Sequence, residues 1–228
     1  MIEQFVEVGS TYARSIDNVI LLIGVLVGFW WALSTVVFFA LIFRWRAKPG
    51  IRAKYVPGTS KLEKKFINIP HGLVLVCDVL VIIAAVQVWV NVKQRLPEPD
   101  YEIRITGQQW AWTFQHPGAD GELDTDDDIR LVDELHVEVD KNYIFHLEAT
   151  DVMHSFSVPI FRLKQDAIPG RTITGWFNAT ITGEYDIQCA EMCGIGHGVM
   201  GARIHIERGN QHASWVSAQT AVATVDAQ

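Results

Sequence analysis

Residues 19–43 run for 25 positions without a charge, and nothing else in the chain restricts its fold as tightly. At 1.5 Å per helical residue the run reaches about 37 Å, more than the ~30 Å hydrocarbon core of a bilayer. A second run, residues 69–90, is broken by His71 and Asp78 and is also long enough to span. The first run is too long for the apolar core of a signal peptide, and no small-residue cleavage site follows it. Arg44, Trp45, Arg46 and Lys48 follow instead, as at the end of a membrane anchor. Trp30, Trp31, Trp45 and Trp89 are available as interface anchors or packing residues. A mean hydropathy of +0.16 over 228 residues therefore reflects apolar residues gathered into an N-terminal pair of spans.

Residues 44–65 between the spans hold eight basic residues, Arg44, Arg46, Lys48, Arg52, Lys54, Lys61, Lys64 and Lys65, against the single acid Glu63. The positive-inside rule places this loop in the cytoplasm and both termini on the opposite face. Residues 1–96 carry 11 basic and 5 acidic residues, a net of +6, whereas residues 97–228 carry 8 and 21, a net of −13. An acidic outer domain repels nucleic acid and attracts a basic partner. The expected organisation is an N-terminal segment and helical hairpin over residues 1–96, with spans at 19–43 and 69–90 and a cytoplasmic loop at 44–68. A second domain follows over residues 97–228.

Leu96-Pro-Glu-Pro-Asp100 ends the hairpin, because two prolines and two acids cannot continue an apolar helix. Beyond it, residues 101–106, 136–140, 143–148, 172–177, 183–187 and 202–207 alternate apolar and polar, the pattern of half-buried strands. Short strands with turns between them predict an antiparallel β-sandwich or barrel. The acidic stretch 117–128 lacks the alternating ligands and closing Glu of a calcium-binding EF-hand and reads as a solvated loop. From about Gly209 the chain is polar and Ala-rich, a helical or frayed tail.

Chemistry concentrates in Cys189-Ala-Glu-Met-Cys-Gly-Ile-Gly-His-Gly-Val-Met200, with His154 upstream. Two thiols, two imidazoles and a thioether form a soft-metal ligand set. A Cys189–Cys193 disulfide suits an oxidising compartment but leaves His154, His197 and Met200 unexplained. A structural zinc ion has little use for a thioether. Mononuclear blue copper uses one thiolate, and here there are two. Two coppers bridged by Cys189 and Cys193, capped by His154 and His197, with Met200 axial on one, use every residue. A backbone carbonyl such as that of Glu191 could complete the other copper.

These segments, with Lys164-Gln-Asp-Ala-Ile-Pro-Gly-Arg171 and Asp151-Val-Met-His-Ser-Phe-Ser-Val-Pro159, resemble subunit II of the cytochrome c oxidases, and the hairpin followed by a β domain resembles it over nearly the whole chain. The resemblance implies a membrane-anchored all-β protein, a two-helix hairpin followed by a cupredoxin-like Greek-key β-barrel carrying the dinuclear copper centre CuA. It further implies that Glu191 gives its backbone carbonyl to copper and its carboxylate to a magnesium or manganese ion at the subunit I interface. Gln108-Gln-Trp-Ala-Trp112 resembles the stretch that receives the electron, with Trp110 as entry residue and Trp112 behind it. Ala111 stands where the family carries a third aromatic, and core packing is the ordinary alternative for Trp112. Glu63-Lys-Lys-Phe-Ile-Asn-Ile-Pro70 keeps the Glu and Pro of the family's segment before its second helix, with Phe66 and Ile67 in place of its Trp and Thr. That implies a place for Glu63 at a proton-channel entrance; its alternative is a plain surface acid.

Asp78 is costly inside a spanning helix, and the resemblance supplies no role for it. Cys77 beside it reads as a small apolar packing residue, and His71 as a headgroup-level side chain. His116, His136, His146, His205 and His212 have no spacing that competes with the metal loop and read as structural or surface residues. The expected function is the electron-entry subunit of a haem–copper terminal oxidase. It takes electrons from cytochrome c, or a c-type cytochrome domain, for oxygen reduction coupled to proton pumping in subunit I. The chain has no haem-binding Cys-x-x-Cys-His, so it is not catalytic alone. Its expected partners are subunit I, the other oxidase subunits and membrane lipid, and its expected location is the bacterial plasma membrane, with the copper domain on the outer face. The rival readings are the CuA subunit of a nitric oxide reductase and a membrane-anchored copper carrier.

Overall fold

The computed structural model describes residues 6–53 and 55–226; Lys54 of the basic loop and the last two residues of the tail lie outside them. The chain divides into two compact units, residues 17–89 and a second unit built from the N-terminal residues through Ile16 together with Val90 onward.

The first unit is a pair of helices, α1 (Ala13–Arg44, whose first turn belongs to the other unit) and α2 (Lys61–Trp89). Apolar runs of this length satisfy their backbone internally only as helices when water is absent. Both helices are long and apolar enough to cross a membrane, and their apolar side chains, such as Leu21, Phe29, Ile82 and Val86, stay exposed on the isolated chain. Both start earlier than the apolar runs alone predict. The Ser10 hydroxyl accepts from Ala13 N–H at 3.2 Å, capping α1. At α2, Ser60 N–H donates to the Glu63 carboxylate at 2.9 Å and Glu63 N–H donates to the Ser60 hydroxyl at 3.2 Å, a reciprocal capping box. The connecting loop therefore ends at Ser60, and not at residue 68 as the sequence suggests. Asp78 and Cys77 line a groove with Trp30, Trp31 and Ser34 inside this hairpin.

Among the described residues, the second unit is built on ten strands in two five-stranded sheets. One sheet has the order β3 (Ile129–Val132), β2 (Ala111–His116), β1 (Tyr101–Gln108), β5 (Asn142–Ala149), β8 (Ile173–Asn178). The other has the order β4 (Glu134–Glu138), β10 (Gly201–Glu207), β9 (Gly183–Cys189), β6 (His154–Val158), β7 (Leu163–Ala167). The β1–β5 and β4–β10 pairs are parallel and the others antiparallel. The core between the sheets contains Ile103, Ile105, Trp112, Phe114, Phe145, Phe156, Phe177 and Ile204. The six alternating runs of the sequence all appear as strands. β2, β3, β6 and β7 do not announce themselves by alternation; β6, for example, is buried on both faces for most of its length.

Residues 6–16 also pack on this β unit, although the composition shift near residue 97 suggests a boundary there. Gly9 N–H donates to Ile160 C=O at 2.9 Å, the Ser10 hydroxyl to Phe161 C=O at 3.0 Å, and the Tyr12 ring meets Trp176 edge-on at 5.1 Å. The Trp176 indole N–H in turn donates to Val92 C=O at 2.9 Å, within the π-turn Val90–Gln94. Long-range contacts of this kind leave no trace in local composition.

The tail forms α3 (Gly209–Asp226). Its Trp215 stacks on His136 with ring centroids 4.3 Å apart and meets His116 edge-on at 5.3 Å. His116 is buried, and its Nε2 has no hydrogen-bond partner among the described residues. Burial, then the neighbouring His212 and His136, pushes its pKa down to about 3. The folded value lies below the unfolded one of about 6.5, so below that pH the unfolded chain takes up the proton first. Stability contributed by neutral His116 is thus complete above pH ~6.5 and is lost toward pH ~3, at about 1.4 kcal/mol per pH unit. In detergent, the thermal midpoint of the full chain should fall between pH 7 and 5, and less steeply in His116→Phe. An equal slope in the variant would remove His116 as its source.

Candidate metal centre

The loop of residues 190–200 is the connection between two antiparallel neighbours. Gln188 of β9 pairs with Gly201 of β10, and Cys189 N–H donates to Met200 C=O at 3.1 Å, so the loop is closed at its base. Gly194 takes φ +120°, a conformation that side chains rarely adopt. A Cβ on Gly196 would collide with the Trp110 ring. His197 N–H donates to Gly194 C=O and Met200 N–H to Gly196 C=O, each at 3.1 Å, tightening the turn that carries both side chains. His154 arrives from the start of β6, where Phe156 pairs with Cys189 and Ala190 N–H donates to Ser155 C=O at 2.9 Å.

These elements bring Cys189, Cys193, His154 and Met200 together, all buried, with His197 half-buried. The two sulfurs lie 3.7 Å apart and both thiols are free. Cys189 Sγ is 3.9 Å from His154 Nδ1 and 3.3 Å from the Glu191 carbonyl oxygen. Cys193 Sγ is 3.7 Å from His197 Nδ1 and 3.8 Å from Met200 Sδ. Each sulfur thus has its own imidazole and its own weak donor. Two thiolates about 2.3 Å from a shared tetrahedral ion would stand about 3.8 Å apart, so the observed spacing fits shared ligation of a soft metal. Burial, with Cys189 beside it, raises the Cys193 thiol above the ordinary thiol range. The Cys193 thiolate is therefore disfavoured without a cation, and metal uptake would release its proton.

A further layer of contacts holds the donors. His154 Nε2 lies 2.9 Å from Asp151 Oδ1, which leaves Nδ1 facing Cys189. Asp151 is itself fixed by the backbone N–H groups of Gln109 at 2.7 Å and Val152 at 2.6 Å. Such carboxylate–histidine pairs orient metal-binding imidazoles. The Gln109 amide and the Trp110 indole N–H both donate to Cys193 C=O, at 2.7 and 3.2 Å. Neither Gln109 nor Asp151 stands out in the sequence. The placing of Asp151 three residues before His154 is a usable local signal; Gln109 offers none, because its contact spans 84 positions.

Trp110 is 39% exposed against the loop, whereas Trp112 is fully buried, with its ring edge-on to His154 at 6.0 Å and to Phe156 at 5.6 Å. Around the loop, Ile195 and Val199 are 96% and 86% exposed, beside exposed Met192, Met153 and Val152. Exposed apolar side chains of this kind are the material of which macromolecular contact surfaces are made. The Glu191 side chain is half-buried. Glu63 lies in the helical unit, in the capping box of α2.

A family model described as "Cytochrome C oxidase subunit II, periplasmic domain" matches residues 101–207. The alternative cytochrome c oxidase subunit 2 of Bradyrhizobium diazoefficiens is 30% identical over 204 residues, 80% of this chain and 72% of that protein. The cytochrome c oxidase subunit 2 of Thermostichus vulcanus is 40% identical over 126 residues, covering 55% of this chain and 36% of that longer protein. The crystal structure of the periplasmic domain of subunit II of cytochrome oxidase from Bradyrhizobium japonicum aligns with a TM-score of 0.49 at 31% identity, over 55% of this chain and 96% of that one.

Proposed function

The chain belongs to the cytochrome c oxidase subunit II family, and on that premise we propose that its cupredoxin-like β domain is the electron-entry domain of a haem–copper oxidase, built around a dinuclear copper centre. The supporting observation is the pair of sulfurs 3.7 Å apart, each with its own imidazole and weak donor. Cys189 and Cys193 would be shared by the two coppers, with His154 and the Glu191 carbonyl beside the first sulfur and His197 and Met200 beside the second as the remaining donors. When bound, the copper pair supplies a one-electron carrier between a c-type cytochrome outside the membrane and haem in subunit I.

The residues of this chain make that carrier fast. Burial of both cysteines, His154 and Met200 excludes water, and the closed β9–β10 loop fixes the backbone that carries the donors. Trp110, exposed on one side and hydrogen-bonded to Cys193 C=O on the other, is the entry side chain, with buried Trp112 behind it. The net charge of −13 on residues 97–228 draws a basic donor to this face. The carboxylate of Glu191 is the hard oxygen ligand we assign to a magnesium or manganese ion shared with subunit I. The basic loop sets the membrane orientation, with the copper domain on the outer face of a bacterial plasma membrane. Glu63 is assigned to the mouth of a proton channel in subunit I, in addition to its cap on α2.

Loading the full chain with copper should give a purple protein whose EPR spectrum shows hyperfine splitting from two equivalent coppers. A colourless protein or a mononuclear spectrum would sink the assignment. In the assembled oxidase, Trp110→Ala should slow reduction of the copper centre by the donor cytochrome about tenfold or more, which is about 1.4 kcal/mol in the barrier, with the EPR spectrum intact. An unchanged rate would take Trp110 off the entry path. Glu63→Gln keeps the capping box, because Gln caps as Glu does, but removes the ionisable group. Proton-coupled turnover should fall in Glu63→Gln while the helix content holds; normal turnover would leave Glu63 a cap alone.

A further inference from the structure

Two histidines without a role in the metal loop meet on the far side of the second sheet. In β4 and β10 the odd and even positions separate cleanly: Leu135, Val137, Ile204 and Ile206 enter the core. Glu134, His136, His205 and Glu207 therefore face outward. The parallel β4–β10 register sets His136 directly beside His205, and the antiparallel β9–β10 register sets Glu184 on the other side of His205. The His136 and His205 rings stack with centroids 4.5 Å apart and planes 13° from parallel. One donor atom each from Glu134, His136 and His205 lie within 4.8 Å of one another.

We propose that Glu134, His136 and His205 form a second metal site, independent of the copper loop, for a divalent transition ion of the zinc(II) class. Imidazole with carboxylate suits zinc and its neighbours over calcium or magnesium. The second observation is how the rings are held. His136 Nδ1 lies 3.1 Å from Glu207 Oε1, and His205 Nδ1 lies 3.4 Å from Glu184 Oε1. Both imidazoles thus carry the carboxylate partner that orients metal-binding histidines, and each keeps Nε2 for an ion. Trp215 of α3 stacks on the other face of the arrangement, fixing His136. Arg203, which the β4–β10 register sets beside Glu134, is engaged by Asp186 at 2.6 Å. His136 is buried, His205 half-buried and Glu134 exposed, so the site opens to solvent on the Glu134 side and keeps a coordination position for water. Because the two ring planes are near parallel, binding requires the more exposed His205 ring to tilt from the observed stack so that both ring nitrogens face the ion.

The site is set apart from the copper loop by five residues of β10, from Met200 to His205, or about 17 Å of strand. An ion there ties β4 to β10, which are 63 or more residues apart in sequence, and through Glu207 meets the strand end that leads into α3.

The test uses the full chain in detergent with Cys189→Ser and Cys193→Ser, which disable the loop's thiolates. Equilibrium dialysis against zinc(II) should show one ion bound in the micromolar range. His205→Asn in the same background should weaken it about tenfold or more, and Glu207→Gln about tenfold through loss of the orienting carboxylate, both with unchanged circular dichroism. With copper(II) as a spectroscopic probe, EPR of the background protein should show coupling to two nitrogens, falling to one in His205→Asn. Zinc binding only in the millimolar range, or equal affinity in His205→Asn, would overturn the site. Zinc lost only when His154 or His197 is substituted would place it in the loop and overturn it as well. Because the thiolates are absent throughout, these outcomes are independent of the dinuclear reading.

Discussion

The pairing of β9 with β10 is the constraint on which the metal loop depends. Gln188 opposite Gly201, and Cys189 N–H on Met200 C=O, close a loop whose ends each carry a donor. A one-residue slip in this ladder would turn Cys189 away from the core side, because side chains alternate faces with a period of two. Cys193 and His197 then find their places because Gly194 and Gly196 let the chain turn under Trp110. β6 supplies the remaining donor through its own pairing with β9. Two consecutive strands and a third from some 30 residues earlier thus fix six donor atoms before any metal arrives.

Burial gives this arrangement both its stability problem and its use. The desolvated Cys193 thiol resists ionisation, so without a cation the loop disfavours a thiolate at that position. A soft cation removes that conflict and adds its binding free energy to the fold. Asp151 and Gln109 then matter beyond their hydrogen bonds. One orients His154, and the other braces Cys193 C=O from the β1–β2 connection. Met192, Ile195 and Val199 of the same loop stay exposed, apolar surface from which a partner protein would exclude water.

Particular residues show how far the sequence could be read. The donors Cys189, Cys193, His197 and Met200 sit within twelve positions, so their grouping is local and visible. His154 is legible through its segment, Asp151–Pro159, which resembles the family's, and a strand can deliver it. The ends of the helices are less legible: Ser10 and Ser60 extend α1 and α2 by capping, which hydropathy does not register. β6 escapes an alternation search because both its faces are buried, and residues 6–16 join the β unit through tertiary contacts alone. His136 and His205 have no meaningful spacing in one dimension, yet the β4–β10 register makes them neighbours.

By itself the sequence determined the division into an apolar hairpin and an acidic β domain, because hydropathy and charge act over contiguous stretches. It also disclosed the soft-metal ligand set, because the supply of sulfur and imidazole is a matter of composition. Only the tertiary structure decided which sulfur faces which imidazole, and that Trp110 is exposed while Trp112 is buried. It alone placed two unrelated histidines side by side on the outer face. Those outcomes depend on strand register and on which face of each strand meets the core, and long-range pairing sets both.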